Sequence, residues 1–234
     1  MSPYNYCAGN PVKLVDPDGR EIENIKVWNK EKKNINKRVS KLQKQLDKGK
    51  IREADLENTK DRINILNNVL SNMELMEKSP QNYYLDPDFV SPSEYYEGGI
   101  KYDNKTGRIK ISYSGSTSNF IHELIHCFQY ETGDIGFHSN GNLLAQDIYD
   151  EVSAYKAQFA FLSCFGTETV NVKDVNEKWI YDKMPDLYKP GGDNKTGTLK
   201  ITIGSTSKDI RKAYNIRELE EGGFLKKIRK RFYI

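Results

Sequence analysis

Cysteine, histidine and long apolar runs are all scarce in this sequence. Its three cysteines, Cys7, Cys127 and Cys164, are odd in number and widely spaced. They read neither as a disulfide framework nor as a Cys-x-x-Cys metal knuckle. No run of about 18 apolar residues occurs, so no transmembrane helix is expected. Met1 to Tyr6 lacks the basic start and apolar stretch of a secretory leader, so none is expected. The 234 residues are 37% hydrophobic and 29% charged, with a mean hydropathy of −0.75. That balance predicts a soluble chain that buries one core, or one core plus a small appendage. Only three histidines are present, so their positions carry information.

Net charge is only +3, but it is unevenly placed. Lys26 to Lys50 holds ten basic residues against Glu31 and Asp47, and the last ten residues hold five more with no acid. Basic clusters can bind nucleic acid or anionic membrane, but more often they are the solvated face of a helix. A nucleic-acid-directed toxin or binding module is therefore the rival reading, and the less favoured one.

The first twenty residues are rich in turn formers: Gly9-Asn10-Pro11, then Asp16-Pro17-Asp18-Gly19. Such pairs either tolerate left-handed backbone or fix φ. The ordered string from Tyr4 to Arg20, with Tyr4-Asn5-Tyr6, Asn10-Pro11 and Asp16-Pro17-Asp18-Gly19-Arg20, closely resembles the end of the RHS-repeat-associated core domain. In that family this stretch closes a large β-repeat shell and marks the junction with a variable C-terminal domain, commonly a toxin. The resemblance covers about 20 residues. It implies a delivered effector without a classical signal peptide, an RHS shell in a longer parent protein, and an immunity protein as partner. Without delivery, a cytoplasmic protein is expected. The family's self-cleavage uses a pair of Asp-Pro-x-Gly elements, and one is present here, so self-cleavage is not implied.

From Asn29 to Lys78 the pattern is helical. Ile35, Val39, Leu42 and Leu46 form one stripe, Asp47-Lys48-Gly49 breaks it, and Leu56, Ile63, Leu66, Leu70 and Met73 form a second before Pro80. Two amphipathic helices with a short link predict an antiparallel hairpin. Tyr83 to Gly99, rich in Pro, Tyr, Asp and Ser, reads as an extended loop. An internal repeat follows. Asp103 to Gly107, a strand Arg108 to Ser112 and Gly115 to Ser118 match Asp193 to Gly197, Thr198 to Thr202 and Gly204 to Ser207. Each copy reads as turn, strand and Gly-Ser loop, with a Ser or Thr available to cap a following helix. Neither loop has the Gly-x-x-x-x-Gly-Lys-Ser/Thr form of a phosphate cradle.

Only the first copy leads into Ile121-His122-Glu123-Leu124-Ile125-His126. Residues four apart share one helical face, so His122 and His126 can bind one metal. Glu123 is near enough to take a proton from a water activated there. Ile121, Leu124, Ile125 and Phe128 are expected to form the buried side. Zinc of this class needs a third protein ligand and an open position. Glu151 is the leading choice, 25 residues after His126 and at the opening of a helical segment whose Val152, Tyr155, Phe159 and Leu162 can be buried. Asp147, Asp150 and His138 are rivals, and an exposed helix-start acid is the plain alternative for Glu151.

This pattern resembles the gluzincin metallopeptidases, over roughly Lys101 to Phe165. In that family a His-Glu-x-x-His helix is followed by a helix that supplies a Glu ligand. The resemblance implies His122, His126 and Glu151 as Zn²⁺ ligands, Glu123 as the base and a polypeptide as substrate. Tyr155 stands where the thermolysin-like form has an acid, so the acid orienting a ligand histidine would come from elsewhere, with Asp147 and Asp150 as candidates. His138, Tyr155 and Tyr149 are candidate transition-state donors. The strand Ile109 to Tyr113 is expected to border the cleft. The expected fold is α+β and gluzincin-like: a tail of the RHS-type core over 1–22, a helical hairpin over 23–80, and a metallopeptidase-like domain over 81–234 with a small antiparallel sheet and two site helices. A catalytically idle zinc scaffold is a third reading.

Overall fold

The computed structural model describes residues 22–90, 98–137, 141, 143–144 and 146–185. The RHS-like leader, His138, the second repeat copy and the basic tail lie outside the described residues. Within them the chain is a mixed α and β structure of five α-helices around a small sheet.

A short strand β1 (Ile22–Glu23) leads into helix α1 (Ile25–Asp47), and a tight connection leads to α2 (Leu56–Met76). The hairpin forms because each helix carries one apolar stripe. Ile35 and Leu42 of α1 and Ile63, Leu66 and Met73 of α2 are buried, while Val39, Leu46 and Leu70 pack partly buried against the same cluster. The hairpin is not an outlying pair. Trp28 and Ile35 share one apolar cluster with Phe120 and Leu124 of the histidine helix and with Phe159 and Ile180 further on.

Glu77, just past α2, ties the hairpin's open ends together. Trp28 Nε1 donates to its Oε1 at 2.7 Å and Lys32 Nζ at 2.9 Å. Burial opposes the Glu77 charge, but those two donors outweigh it and hold its pKa below the ordinary carboxylate value. A depressed native pKa means stability present above the unfolded pKa and lost as pH falls through the native one. Glu77→Gln is therefore expected to cost roughly 1 kcal/mol at pH 7, discounted for partial exposure. Urea denaturation should show that cost shrinking as pH falls through the native Glu77 pKa, below the ordinary carboxylate value, because both proteins then carry a neutral group. An unchanged cost at acid pH would remove the ionic part of this assignment.

The sheet has strand order β1-β2-β4-β3, with β2 spanning Asn82–Asp86, β3 Gly98–Asp103 and β4 Arg108–Tyr113. It is not the antiparallel sheet expected from sequence. β1 and β2 are parallel, as are β2 and β4, and only β3 runs antiparallel to β4. The segment read as an extended loop, Tyr83 to Gly99, supplies β2 from its second residue on and the start of β3. Its pattern is period two, with Tyr83 and Leu85 fully buried and their neighbours part exposed. Polar Tyr and Asp residues on the outward positions hid that alternation. β4 is interior to the sheet, so the edge on this side is β3, not β4.

The first repeat copy forms as read: Gly107 N donates back to Asp103 O, β4 follows, and Ser116 caps helix α3 (Thr117–Thr132) by accepting from Asn119 N at 3.1 Å. Gly133, at φ 83, ends α3 in the left-handed conformation that glycine adopts without a Cβ penalty. A two-stranded ribbon of β5 (Gly136–Phe137) and β6 (Leu143–Leu144) precedes α4 (Ile148–Leu162). A second ribbon, β7 (Cys164–Phe165) and β8 (Glu168–Thr169), and the short α5 (Glu177–Lys183) complete the described chain. No helix among the described residues is long and apolar enough to cross a membrane. Cys127 and Cys164 form no disulfide among the described residues.

Candidate metal centre

Helix α3 is central because it packs on the sheet through one side and on α4 through another. Ile121 and Leu124 are fully buried and Ile125 nearly so, as the stripe predicts, whereas Phe128 is only half-buried. That orientation turns His122 and His126 toward α4. On α4, Val152, Tyr155 and Phe159 are buried and Leu162, at the end, is 42% exposed. The helix starts earlier than read, because Asp147 caps it and Asp150 closes a capping box. Glu151 thus sits in the first turn, facing α3, and is buried rather than exposed.

The three expected ligands converge. His122 Nε2 lies 3.2 Å from His126 Nε2, Glu151 Oε2 lies 3.4 Å from His122 Nε2, and Glu151 Oε1 lies 3.5 Å from His126 Nε2. Among the described residues this is the one group of three His, Cys, Asp or Glu side chains arranged to hold a metal ion.

A network of amides defines which ring nitrogens face inward. Gln129 Nε2 donates to the Asp150 carbonyl at 3.0 Å, so Gln129 Oε1 faces His126 Nδ1 at 2.8 Å. Asn119 Nδ2 donates to Ser114 Oγ at 3.0 Å, so Asn119 Oδ1 accepts from Gln158 Nε2 at 3.1 Å. Gln158 Oε1 then faces His122 Nδ1 at 3.0 Å. An amide oxygen only accepts, so each Nδ1 carries the proton and each neutral ring turns an Nε2 lone pair inward. Two lone pairs and a carboxylate in contact repel unless a cation sits among them. That cation is either a proton on one ring or a metal ion held by all three.

Gln146 completes the cluster: its Nε2 donates to Glu151 Oε1 at 2.5 Å and lies 3.4 Å from His126 Nε2. Sequence reasoning sought an acid behind the histidines and missed these glutamines. Gln129 is three residues after His126, and Gln158 is seven after Glu151, so both share a face with a ligand. That spacing is the signal that was available. Asp147 and Asp150 do not orient the histidines: their carboxylates accept backbone N–H groups in the capping box, and Asp150 reaches the site only through its carbonyl. Burial pushes Asp150 up to about 8, and the Asp147 charge adds to that.

Tyr155 packs its ring edge against His122, centroids 4.5 Å apart, and so lies beside the ligands. The Tyr149 hydroxyl instead donates to Glu177 at 2.7 Å, which takes it from the role of transition-state donor. His138 lies outside the described residues.

Burial pushes the Glu123 carboxyl up to about 7, with His122 pulling it back and the Glu151 charge pushing it further. For His122 burial acts the other way, but Glu151 and Glu123 outweigh it and raise its pKa. His126 is lowered, by burial above all. Glu123 lies against the edge strand: a Cβ at Gly98 would stand 2.7 Å from Glu123 Oε1 and 2.7 Å from the Ser112 carbonyl. The side chain can swing aside, but the neighbouring strand's backbone cannot. Gly98→Ala is therefore expected to cost about 1–3 kcal/mol of stability by overpacking. Denaturation of the purified variant checks this, and parental stability would mean that the Ser112 backbone of β4 does yield to a methyl at Gly98.

No family model matches the chain, nor does any curated protein or solved structure.

The outer side of β3 is also legible. Tyr102 N donates to Gly141 O at 3.0 Å, away from β4. By the two-residue period of a strand, Ile100 and Gly98 turn their backbone groups the same way. Gly141 approaches so closely that a Cβ there would stand 2.1 Å from the Tyr102 carbonyl oxygen, and its φ of +84° also calls for glycine.

Proposed function

We propose that this chain is a zinc-dependent peptidase of the His-Glu-x-x-His, gluzincin-like type, acting as the toxic tip of an RHS-type delivered effector. One observation carries the enzymatic part: two Nε2 lone pairs and a buried carboxylate face one another at 3.2–3.5 Å. Ligands of a tetrahedral zinc with bonds of about 2.0–2.1 Å stand roughly 3.3 Å apart, so the donor set fits that ion in size as well as in kind. His122, His126 and Glu151 would hold it, with Gln129 and Gln158 fixing the rings and Gln146 the carboxylate.

When bound, zinc supplies Lewis acidity, which polarises a carbonyl and lets water ionise near neutral pH. The chain's own residues do the rest. Glu123 accepts the proton of the attacking water and passes it to the leaving amine. A carboxyl shifted upward by burial suits both halves of that transfer. Tyr155, beside His122, limits the space around the ligands and is the remaining described candidate for a hydrogen bond to the developing oxyanion.

The substrate in this reading is an extended polypeptide. The outward backbone groups of Gly98 and Ile100 run beside Glu123, and an edge strand can take on another strand through main-chain hydrogen bonds. The effector role rests on the leader's resemblance to the RHS-type core tail, and with it come delivery, the shell and an immunity protein.

Elemental analysis of purified protein should find about one zinc per chain. Hydrolysis of an unstructured protein such as casein should stop with chelator and return with zinc. Absence of zinc after equilibration with the metal would end the proposal.

A further inference from the structure

A second chemistry is built at the far end of α4. Arg38, Lys41, Lys50, Arg52 and Arg62 line a cleft of about 370 Å³ between the hairpin and the Ser163 turn. The single carboxylate in its lining is Asp55, already held by Arg52 Nε at 2.7 Å. Five cations against one acid leave the cleft strongly positive.

The two inner guanidiniums are the informative ones. Arg62 is 7% exposed and spends one N–H on the Ala160 carbonyl, at 2.9 Å. Its NH2 nitrogen is buried with no partner among the described residues. Arg38 gives one bond to Ser163 Oγ at 3.4 Å, and its Nε is likewise buried without a partner. Each guanidinium carries five N–H donors. Capping the carbonyl end of α4 accounts for one of Arg62's, and Ser163 Oγ with the Phe161 ring, 6.0 Å from the Arg38 guanidinium carbon, for part of Arg38; the orphaned nitrogens stay unexplained.

Burial, and then the charge of Arg38, pull the Arg62 pKa down to about 10. A buried guanidinium beside a second, half-buried one is costly unless an anion joins them. Paired planar forks of this kind are what phosphate recognition uses. The volume would hold about a dozen waters, which is room for several phosphate groups.

We propose that this cleft binds a compact small-molecule polyanion carrying more than one phosphate. The site is separate from the candidate metal centre: Ala160 lies nine residues beyond Glu151, about 13 Å along the same helix. An anion there would clamp α1, α2 and the end of α4 together, so binding raises the melting temperature.

Isothermal titration of the full chain with inorganic tripolyphosphate tests this. One saturable site is expected, weakening as salt rises. Arg38→Gln should weaken it at least tenfold. The Lys41→Gln/Arg52→Gln pair, both exposed rim residues, should do the same if Arg38→Gln does not fold. Lys26→Gln/Lys30→Gln, on α1 but outside the cleft lining, should leave it unchanged. Chelation of a bound metal would be blind to the arginine change, so it cannot mimic this pattern. No saturable binding at millimolar tripolyphosphate, or equal weakening by the Lys26/Lys30 pair, overturns the site. A random single-stranded oligonucleotide that binds more tightly, and still binds after Arg38→Gln, would assign the surface to nucleic acid instead and overturn it too.

Discussion

On the proposed reading, Glu151→Gln should abolish zinc binding and all measurable hydrolysis. The substitution keeps the shape of the side chain and its ability to accept from Gln146, so the packing between α3 and α4 is preserved. What it removes is the one negative charge among the three donors. Two neutral imidazoles remain to hold a dication in a buried site, and the charge that offset its desolvation is gone. The effect reads out twice. In the parent protein, added zinc at about 1,000-fold above its dissociation constant should stabilise the fold by about 4 kcal/mol. In Glu151→Gln the same zinc should leave the melting temperature unmoved. His126→Ala should behave alike, with an additional loss of stability from the cavity in its buried position. Stoichiometric zinc retained by Glu151→Gln after dialysis would take Glu151 out of the ligand set.

Glu123→Gln separates binding from chemistry. Glu123 is not among the converging donors, so this variant is expected to keep its zinc and its zinc-dependent melting temperature. Hydrolysis should fall by about 10²–10⁴-fold, the usual contribution of a positioned general base. The pH profile gives a further check. Glu123 must be ionised to accept a proton, so the rate climbs with pH through its pKa. Without a metal, burial above all, with the Glu151 charge adding to it and His122 opposing, sets that pKa near 7, and a dication nearby favours the carboxylate and draws it lower. The parent should therefore show an acid limb below about pH 7, and the residual activity of Glu123→Gln should lack it. Activity close to the parent's with zinc still bound would mean that the carboxylate pressed against Gly98 is a packing residue.

Much of this was legible from residue order. The histidine pair with Glu123 is a local pattern: helical geometry alone places residues four apart on one face, and the apolar positions of α3 say which side is buried. Glu151 was reachable because a helical segment with its own apolar stripe follows at a distance that allows a second helix to pack back. The hairpin followed from two stripes and a break. The first repeat copy formed its turn, strand and cap as read, because each of those is decided within a few residues.

The sheet was not legible in the same way. Whether β2 runs parallel or antiparallel to β4 depends on pairing between segments that are distant in sequence, and no short-range pattern encodes it. The polar outward positions of β2 concealed a strand altogether. The supporting residues were missed for a related reason. Glutamine is common, and nothing about Gln129, Gln146 or Gln158 marks it until two helices are side by side. The cleft of arginines combines residues from α1, α2 and the end of α4, and a basic run in α1 by itself reads as a solvated face.

The order of residues therefore determined the chemistry on offer: two imidazoles one turn apart, a carboxylate between them, an acid at the head of a later helix, and a basic helix before them. Only the tertiary structure decided the direction in which each group points. The packing of α3 against α4 chose Glu151 over Asp147 and Asp150, assigned the two aspartates to capping, and placed an amide oxygen behind each ring so that both Nε2 atoms face inward. The reason is one of range. Helix periodicity and capping act over a few residues and leave a mark in the sequence, whereas the closing of a three-donor cluster depends on distances across separate elements, where a shift of an ångström decides whether it forms.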